Sequence, residues 1–500
     1  MKRSPQSTQR QKTAGRLAFC AVMLMSVAAC SFAPPYERPA LPVAAGYAQA
    51  QGASDAVSAA HLSAAQLDWR DYFADPQLRG LIEQALRNNL DLRLAALRID
   101  EARAAYQIQG SALLPTAGVS ANGTRSLVPG DLNLLGRPVI SGQYQAGVGL
   151  ASWEIDFWGR IRSLKDAALE SYLASEEAHR AVTLSLITQV AQTWLGLREL
   201  DERIALAKQT ADSRAESLRI FQRRVEVGAT SRLDLTQVEV LWQQAGTLLS
   251  QLEQQRATQA HALELLLGSP PQWDAAAQRP HDEELLRELA PGLPSDLLEN
   301  RPDIIAAEHR LKAANANIGA ARAAFFPQVT LTGVFGTASS QLDGLFGGGS
   351  RAWNFAPSIS LPIFDSGLRQ ANLELSEVRR DEAVVQYEQS IQAAFRDVLD
   401  ALSARSALEE QVRTLRATQA AQDERARLAK LRYDNGAAAF LEVLDAQRDQ
   451  LAAQQLLVQT RHALLSSRVA LYAALGGGSR PVPTPDPLVP QAGQEITRSP

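Results

Sequence analysis

The residues best suited to chemistry lie in a short charged segment near the end of the chain. Glu442 and Asp445 are three residues apart in a stretch without Gly or Pro, so in a helix they share one face. Arg448 follows one turn later, and Tyr433 precedes the pair. Carboxylates collected at one place attract and select cations. A solvated acidic helix face would show the same spacing, and that interpretation stays open.

The sequence gives no support to an enzyme. Its six His are scattered, and neither an H-E-x-x-H metal motif nor a G-x-S-x-G nucleophile elbow is present. Gly147 and Gly149 form a G-x-G pair inside a predicted strand, without the further glycine of a phosphate loop. We therefore expect no enzyme activity, no metal site and no cofactor. Because a P-loop is also missing, energy for any transport must come from another protein.

The composition favours a helical protein. Hydrophobic residues make up 46% of the chain but aromatic residues only 6%, so Ala and Leu dominate the apolar content. The formal net charge is −4, and no basic cluster follows the N-terminal segment. This balance argues against nucleic acid as a partner.

The N-terminus is typical of a bacterial lipoprotein. Residues 1–29 combine a basic start with an apolar run of about 13 residues, which is shorter than the roughly 20 of a transmembrane helix. Small residues precede Cys30 as in a lipobox, so we expect diacylglycerol and an N-acyl chain on Cys30. Ser31, rather than Asp, indicates sorting to the outer membrane. The alternative is a plain secretory signal with an incidental Cys.

The rest of the chain consists of two similar halves. Short motifs recur in the same order at nearly the same spacing, 212, 208 and 208 residues apart. The matching pairs are Pro115 and Pro327, Gly159 and Gly367, and Gly228 and Gly436. The chain therefore contains an internal duplication.

Each half contains a very long predicted helix that a Gly-containing turn folds into a hairpin. About 68 residues without an effective breaker give a helix of roughly 100 Å. Apolar residues recur at alternating steps of four and three, which predicts coiled-coil packing. The predicted core positions are Leu186, Val190, Thr193, Leu197, Leu200, Ile204, Ala207 and Ala211 in the first half, and Ala394, Val398, Ala401, Arg405, Leu408, Val412 and Leu415 in the second.

Four segments alternate between apolar and small or polar residues, as in a transmembrane barrel strand. They span about 116–126, 143–152, 328–338 and 354–363. Aromatic residues at their ends would suit a membrane interface, although Pro357 counts against an ideal strand. Four strands cannot close a barrel, so insertion in a membrane requires further copies of the chain. An ordinary soluble hairpin pair is the alternative.

These elements predict a mainly α protein with a β-barrel part. The expected divisions are a signal peptide at 1–29, an acylated linker at 30–74, a first repeat at 75–290 with a helical hairpin at 159–267, a second repeat at 291–475 with a hairpin at 366–475, and a flexible tail at 476–500.

One segment carries a specific family resemblance, and it runs Gly292-Leu293-Pro294-Ser295-Asp296-Leu297-Leu298-Glu299-Asn300-Arg301-Pro302-Asp303-Ile304. With Asp75-Pro76-Gln77-Leu78, it resembles the TolC-like outer-membrane factors, specifically the NodT-type efflux lipoproteins. The resemblance covers nearly the whole mature chain. Asn300 departs from the Arg that is usual there.

This resemblance implies a homotrimer with a shared 12-stranded barrel in the outer membrane and an α-helical tunnel through the periplasm. The implied partners are outer-membrane lipid, a periplasmic adaptor protein and an inner-membrane pump. The implied function is passive exit of drugs or toxic compounds from a tripartite efflux pump.

The resemblance also implies roles for individual residues. Asp445 lies at the acidic constriction of the periplasmic entrance, where Asp445 and Glu442 would each form a ring of three carboxylates. Tyr433 matches an aromatic that ties the inner hairpin to its neighbours. Ala438 replaces an Arg that locks the gate in some relatives, so we predict that Arg448 takes over this role.

The hairpin turns are the predicted adaptor contacts. Gly228, Ser231 and Gly436 mark them, although a plain capped turn explains these residues equally well. Two other functions remain open at this stage: a periplasmic coiled-coil scaffold or adaptor lipoprotein, and an outer-membrane duct for type I protein secretion.

Overall fold

The computed structural model describes residues 32–43, 64, 67–272, 282, 285–287, 289 and 296–478. Its helices are α1 Trp69–Tyr72, α2 Pro76–Asn88, α3 Leu90–Ser111, α4 Arg160–Glu226, α5 Arg232–Leu267, α6 Leu297–Asn300, α7 Pro302–Ala323, α8 Leu368–Asp434 and α9 Phe440–Ala474. Its strands are β1 Ala117–Val128, β2 Val139–Glu154, β3 Gln328–Ser339 and β4 Arg351–Ser360. The predicted signal peptide, Cys30 and the tail beyond residue 478 lie outside the described residues.

The chain divides into two compact units. The first comprises the described residues of Met1–Ala40, Arg98–Glu176 and Ala306–Glu388. The second comprises those of Leu41–Leu97, Glu177–Ile305 and Gln389–Pro500.

The first unit contains one antiparallel sheet in the order β1-β2-β3-β4. All four predicted strands are therefore confirmed, with different ends. β2 begins at Val139 because its start pairs with the end of β1, Val139 opposite Val128. β4 ends at Ser360 rather than at residue 363, since Pro362 has no N–H group for a ladder. Pro357 fits within β4 because this strand has a partner on one side only.

One face of the sheet exposes large apolar side chains. Val119, Val148, Phe335 and Trp353 are successive cross-strand partners and so lie in one row across all four strands. Their exposed fractions are 85%, 56%, 53% and 74%. A row this exposed and apolar marks a surface that contacts something other than water.

The opposite face brings the backbones of β2 and β3 into close approach. A Cβ added at Gly336 would lie 2.1 Å from the main-chain oxygen of Ala146, and one at Gly147 would lie 2.7 Å from that of Phe335. Only glycine fits at such distances. The G-x-G pair in β2 therefore serves close packing within the sheet.

The long helices end where the sequence predicts. α4 and α8 each contain 67 residues. Gly228 and Gly436 follow them with φ of 73° and 71°, a left-handed conformation that glycine adopts without steric cost. Among the described residues, no helix combines the length and the apolar content needed to cross a membrane.

The heptad positions form the core between the long helices. Val190, Ala207, Ala394 and Val398 are at most 1% exposed. The less apolar positions, Thr193 and Arg405 among them, are half-buried. The mainly helical fold with four strands and a duplicated design is confirmed.

Candidate functional site

The two hairpin turns of the second unit share one backbone design. We call residues 214–242, around Gly228, the first tip and residues 422–449, around Gly436, the second tip. At the first tip, Gly228 N–H donates to Val225 O at 3.0 Å and Ala229 N–H to Arg224 O at 2.7 Å. At the second tip the equivalent bonds, Gly436 to Tyr433 and Ala437 to Arg432, measure 2.9 and 2.8 Å. Each turn thus caps the C-terminus of a long helix.

An ion pair spans the second tip. Arg432 Nη1, near the end of α8, lies 2.6 Å from Glu442 Oε1 in the first turn of α9. Lys430 Nζ lies 2.9 Å from Asp434 Oδ2 on α8. About half of each of these side chains is exposed, so water can replace the contacts at small cost.

A second group of charges lies further along α9. Arg448 Nη1 is 3.3 Å from Asp445 Oδ1, and Arg448 Nη2 is 3.1 Å from Asp449 Oδ1. Arg425 on α8 reaches the other oxygen of Asp449 at 2.7 Å. A hydrogen bond from Arg425, and a second one from Arg448, hold the pKa of the Asp449 carboxyl below its usual range. The pair between Arg425 and Asp449 links α8 to α9.

Aromatic residues connect the second tip to the first. The ring of Phe440 on α9 lies 4.6 Å from that of Phe221 on α4 and 4.9 Å from that of Tyr433, centroid to centroid. The Tyr433 hydroxyl accepts a hydrogen bond from Arg224 on α4. The guanidinium of Arg224 also lies 5.6 Å above the Phe221 ring. The two hairpins therefore touch through Tyr433 and Phe440.

The first tip has a reciprocal helix cap. Asp234 N–H donates to Ser231 Oγ at 3.1 Å, and the Asp234 carboxylate accepts from the Ser231 N–H at 3.3 Å. Thr230 Oγ1 donates to the same carboxylate at 2.9 Å. The hydrogen bonds from Ser231 and Thr230 lower the pKa of Asp234. Gly228 and Ser231 thus terminate one helix and begin the next.

The structure brings some of the predicted site residues together and separates others. Glu442 and Asp445 lie one turn apart on α9, half exposed, but they pair with different arginines, Arg432 and Arg448. Tyr433 and Arg448 both contact neighbouring side chains, whereas Cys30 lies outside the described residues. No group of acidic, His or Cys side chains in the described part of the chain could hold a metal ion.

Sequence reasoning missed Arg432 and Arg224. A signal existed for Arg432, because it stands just before the Gly436 turn and faces Glu442 just after it. No local signal marks Arg224, since its partner Tyr433 is 209 residues away.

Comparison with known proteins assigns the chain to a family. The profile described as outer membrane efflux protein matches residues 81–269 and 293–477. Outer membrane protein OprJ of Pseudomonas aeruginosa is 43% identical over 462 residues, which cover 91% of this chain and 95% of that protein. The toluene efflux pump outer membrane protein TtgF of Pseudomonas putida is 44% identical over 458 residues, with coverage of 91% and 95%.

A solved structure matches equally broadly. The crystal structure of the open state of the Neisseria gonorrhoeae MtrE outer membrane channel is similar with a TM-score of 0.81 at 38% identity. The match covers 90% of this chain and 99% of that chain. The resemblance noted from the motifs is confirmed, and the chain belongs to the outer membrane efflux protein family, a family of channels and not of enzymes.

Proposed function

We propose that this chain is one subunit of a homotrimeric exit duct for small toxic compounds. The observation that carries the proposal is the sheet, which has an exposed apolar row and two open edges, β1 and β4. In lipid, unpaired edge N–H and C=O groups cost several kcal/mol each. Three copies would supply twelve strands and pair every edge in a closed barrel.

The N-terminal segment supports a lipid anchor at Cys30. Phe32 stacks on Phe326 with 4.5 Å between centroids, and Phe326 stacks on Trp158 at 5.0 Å, directly before β3. Cys30 precedes Phe32 by two residues, at most about 7 Å of chain. Acyl chains attached there would enter the leaflet at the end of the sheet, where aromatic residues favour the interface.

A buried carboxylate fixes this N-terminal segment. Glu308 on α7 is 4% exposed and accepts hydrogen bonds from Tyr36 at 3.0 Å and from Arg38 at 2.8 Å. Asn315 donates to Pro34 O at 2.7 Å. We propose that residues 1–29 are removed as a signal peptide and that the following linker is fastened here.

The second tip is the proposed periplasmic gate. In a trimer, Asp445 and Glu442 would each form a ring of three carboxylates, which favours cations and narrows the path. Arg432 pairs with Glu442 and Arg448 with Asp445, while Tyr433 connects the second tip to the first through Arg224. Opening would exchange exposed ion pairs for water, which costs little. The turns at Gly228, Ser231 and Gly436 are the surfaces that we propose for adaptor contact.

The remaining partners follow from the efflux pump role. A periplasmic adaptor would join the tips to an inner-membrane pump, which supplies the energy. The relative TtgF is named for toluene efflux. We propose that the cargo here is likewise small and poorly water-soluble, such as solvents and drugs.

Purified full-length protein in planar bilayers tests the duct. We expect cation-preferring channels and a trimer that dissociates on heating before gel electrophoresis. Deletion of the gene should raise susceptibility to solvents and antibiotics. A water-soluble monomer without channel activity would overturn the proposal, and secretion defects without changed susceptibility would favour protein export instead.

Metabolic labelling tests the anchor separately. Cells that express the protein are grown with radioactive palmitate, and Cys30→Ser should abolish incorporation. Cys20→Ser is the matched control, since Cys20 lies within the predicted signal and should leave labelling unchanged. Label that persists in Cys30→Ser would place the lipid elsewhere.

A further inference from the structure

Arg214 is a buried cation, and it is the first residue of the first tip. It lies on α4 and is 5% exposed. Its Nη1 donates to the main-chain oxygen of Leu241 on α5 at 3.0 Å, and its Nε has no hydrogen-bond partner within the described part of the chain. Two hairpin helices thus enclose a guanidinium that is only partly satisfied.

The charges and contacts around Arg214 do not neutralise it. No described Asp or Glu forms an ion pair with it, and its printed contact is the main-chain oxygen of Leu241. Burial, and secondly Arg448, lower the pKa of Arg214. Between Arg214 and the turn at Gly228, an apolar cluster joins the first hairpin to α9. In this cluster Leu444 of α9 packs against Leu218, Phe221 and Val238. The position therefore combines desolvation with like-charge repulsion.

These two features oppose each other energetically. The apolar cluster favours contact between α9 and the first hairpin. A buried charge without a counter-charge disfavours the same contact, because water no longer solvates it. Movement of α9 away from α4 would hydrate Arg214 and lengthen its distance to Arg448. The packed arrangement is held in balance between these opposing terms.

The duplicated chain provides an internal contrast. The position 208 residues after Arg214 is Gln422, a neutral and half-buried residue on α8. The second hairpin therefore lacks an equivalent buried charge at this level. A buried cation without a counter-charge therefore occurs at this level in the first tip and not in the second, next to the apolar cluster that joins the first hairpin to α9.

We propose that Arg214 is a positioning residue that sets how readily the two tips separate, because its buried charge opposes the packing of α9 against α4 and α5. This inference rests on the proposed gate at the second tip. Arg448 then has two opposite effects: it binds Asp445 and Asp449 while repelling Arg214.

Single-channel recording of the purified full-length protein tests the proposal. Arg214→Met removes the charge but keeps a long, flexible apolar side chain. We expect its open probability to fall at least about threefold below wild type, since one repulsive term is lost. Arg214→Lys keeps the charge and should stay close to wild type. Arg219→Met, at an exposed position on α4, makes the same change in net charge and should leave gating unaltered.

A double variant separates repulsion from general packing. In an Arg448→Gln background, the change caused by Arg214→Met should shrink, because the repelling partner is gone. Equal or higher open probability in Arg214→Met, or an unchanged effect in that background, would overturn the inference. If wild-type protein forms no channels at all, the proposed function itself fails, whereas normal channels with unaltered gating in Arg214→Met refute only the role of Arg214.

Discussion

The two hairpin tips have the same backbone turn but opposite side-chain chemistry. In the first tip the buried apolar residues are Leu218, Phe221 and Val238, all larger than alanine. In the second tip three of the five buried residues are alanines, Ala426, Ala429 and Ala446, and the other two are Val443 and Leu444. The first tip has a capping box at Ser231, whereas the N-cap of the second, Ala439, has no side-chain hydrogen bond.

Ion pairs replace the missing apolar contacts in the second tip. Arg432 to Glu442 and Arg425 to Asp449 connect its two helices, and both pairs are partly exposed. In the first tip, by contrast, the exposed pairs Arg219 to Glu216 and Arg223 to Glu226 stay within α4.

The difference indicates a rigid tip beside a movable one. Large buried side chains are close-packed and lose contacts when they move apart, whereas exposed ion pairs exchange partners with water at a cost of about 0–1 kcal/mol. The two copies of the hairpin thus differ: the first has a close-packed tip, and the second has a tip whose contacts water can replace.

Truncation of the apolar core should have the largest effect. Phe221→Ala removes a ring that is 3% exposed and should cost about 3–5 kcal/mol of local stability. The equivalent position in the second tip is Ala429, where Ala429→Gly should cost only about 1 kcal/mol. Thermal unfolding of the purified protein in detergent measures both. Equal losses would contradict the assignment of a rigid first tip.

The helix caps should respond in opposite directions. Ser231→Ala removes a capping box and should destabilise the start of α5 by about 1 kcal/mol. Ala439→Ser supplies the absent cap, with Glu442 already at the third helical position, and should stabilise α9 by a similar amount, roughly 0.5–1 kcal/mol. Hydrogen exchange at the two helix starts reports the change. Slower exchange in Ser231→Ala would refute the comparison.

Charge removal should affect conduction only at the second tip. Asp445→Ala leaves Arg448 without this partner, so we expect conductance to rise roughly twofold and cation preference to fall. Gln237→Ala, at the equivalent position of the first tip, is the control and should change neither. Planar-bilayer recordings with unequal salt on the two sides measure both quantities. Unchanged conductance and selectivity in Asp445→Ala would remove Asp445 from the gate.

Acid should produce the smallest effect. The pKa of Asp449 is depressed in the folded protein, so its ion pairs contribute fully above the ordinary value of 3.8 and are lost as the pH falls through the lower folded value. We expect no loosening of the second tip between about pH 8 and pH 5, and loosening only below about pH 4. Hydrogen exchange followed between pH 8 and pH 3 measures it. The first tip in the same sample is the comparison, because protonation of Asp234 there weakens a helix cap and not an ion pair between helices. Greater loosening of the first tip than of the second below pH 4 would reverse the assignment.

Much of the fold could be predicted because its signals are local. Heptad spacing identified the buried faces of α4 and α8, and Gly228 and Gly436 located the ends of these helices. Period-two alternation identified all four strands. Helical and strand periodicities repeat along the chain, so a short window of sequence contains them.

The arrangement of the site required contacts that no short window contains. Arg224 meets Tyr433, and β2 pairs with β3, only after distant segments have packed. The sequence predicted that Glu442 and Asp445 lie on one helix. It did not predict that Glu442 pairs with Arg432 while Asp445 pairs with Arg448.

The sequence by itself determined the long helices, the strands, the duplication and the acidic residues on α9. The tertiary structure decided which charges are paired, that Arg214 is buried without a counter-charge among the described residues, and which sheet edges stay open. The physical reason is that periodicity fixes which face of an element is apolar, whereas the neighbour of a side chain depends on which faces meet in space.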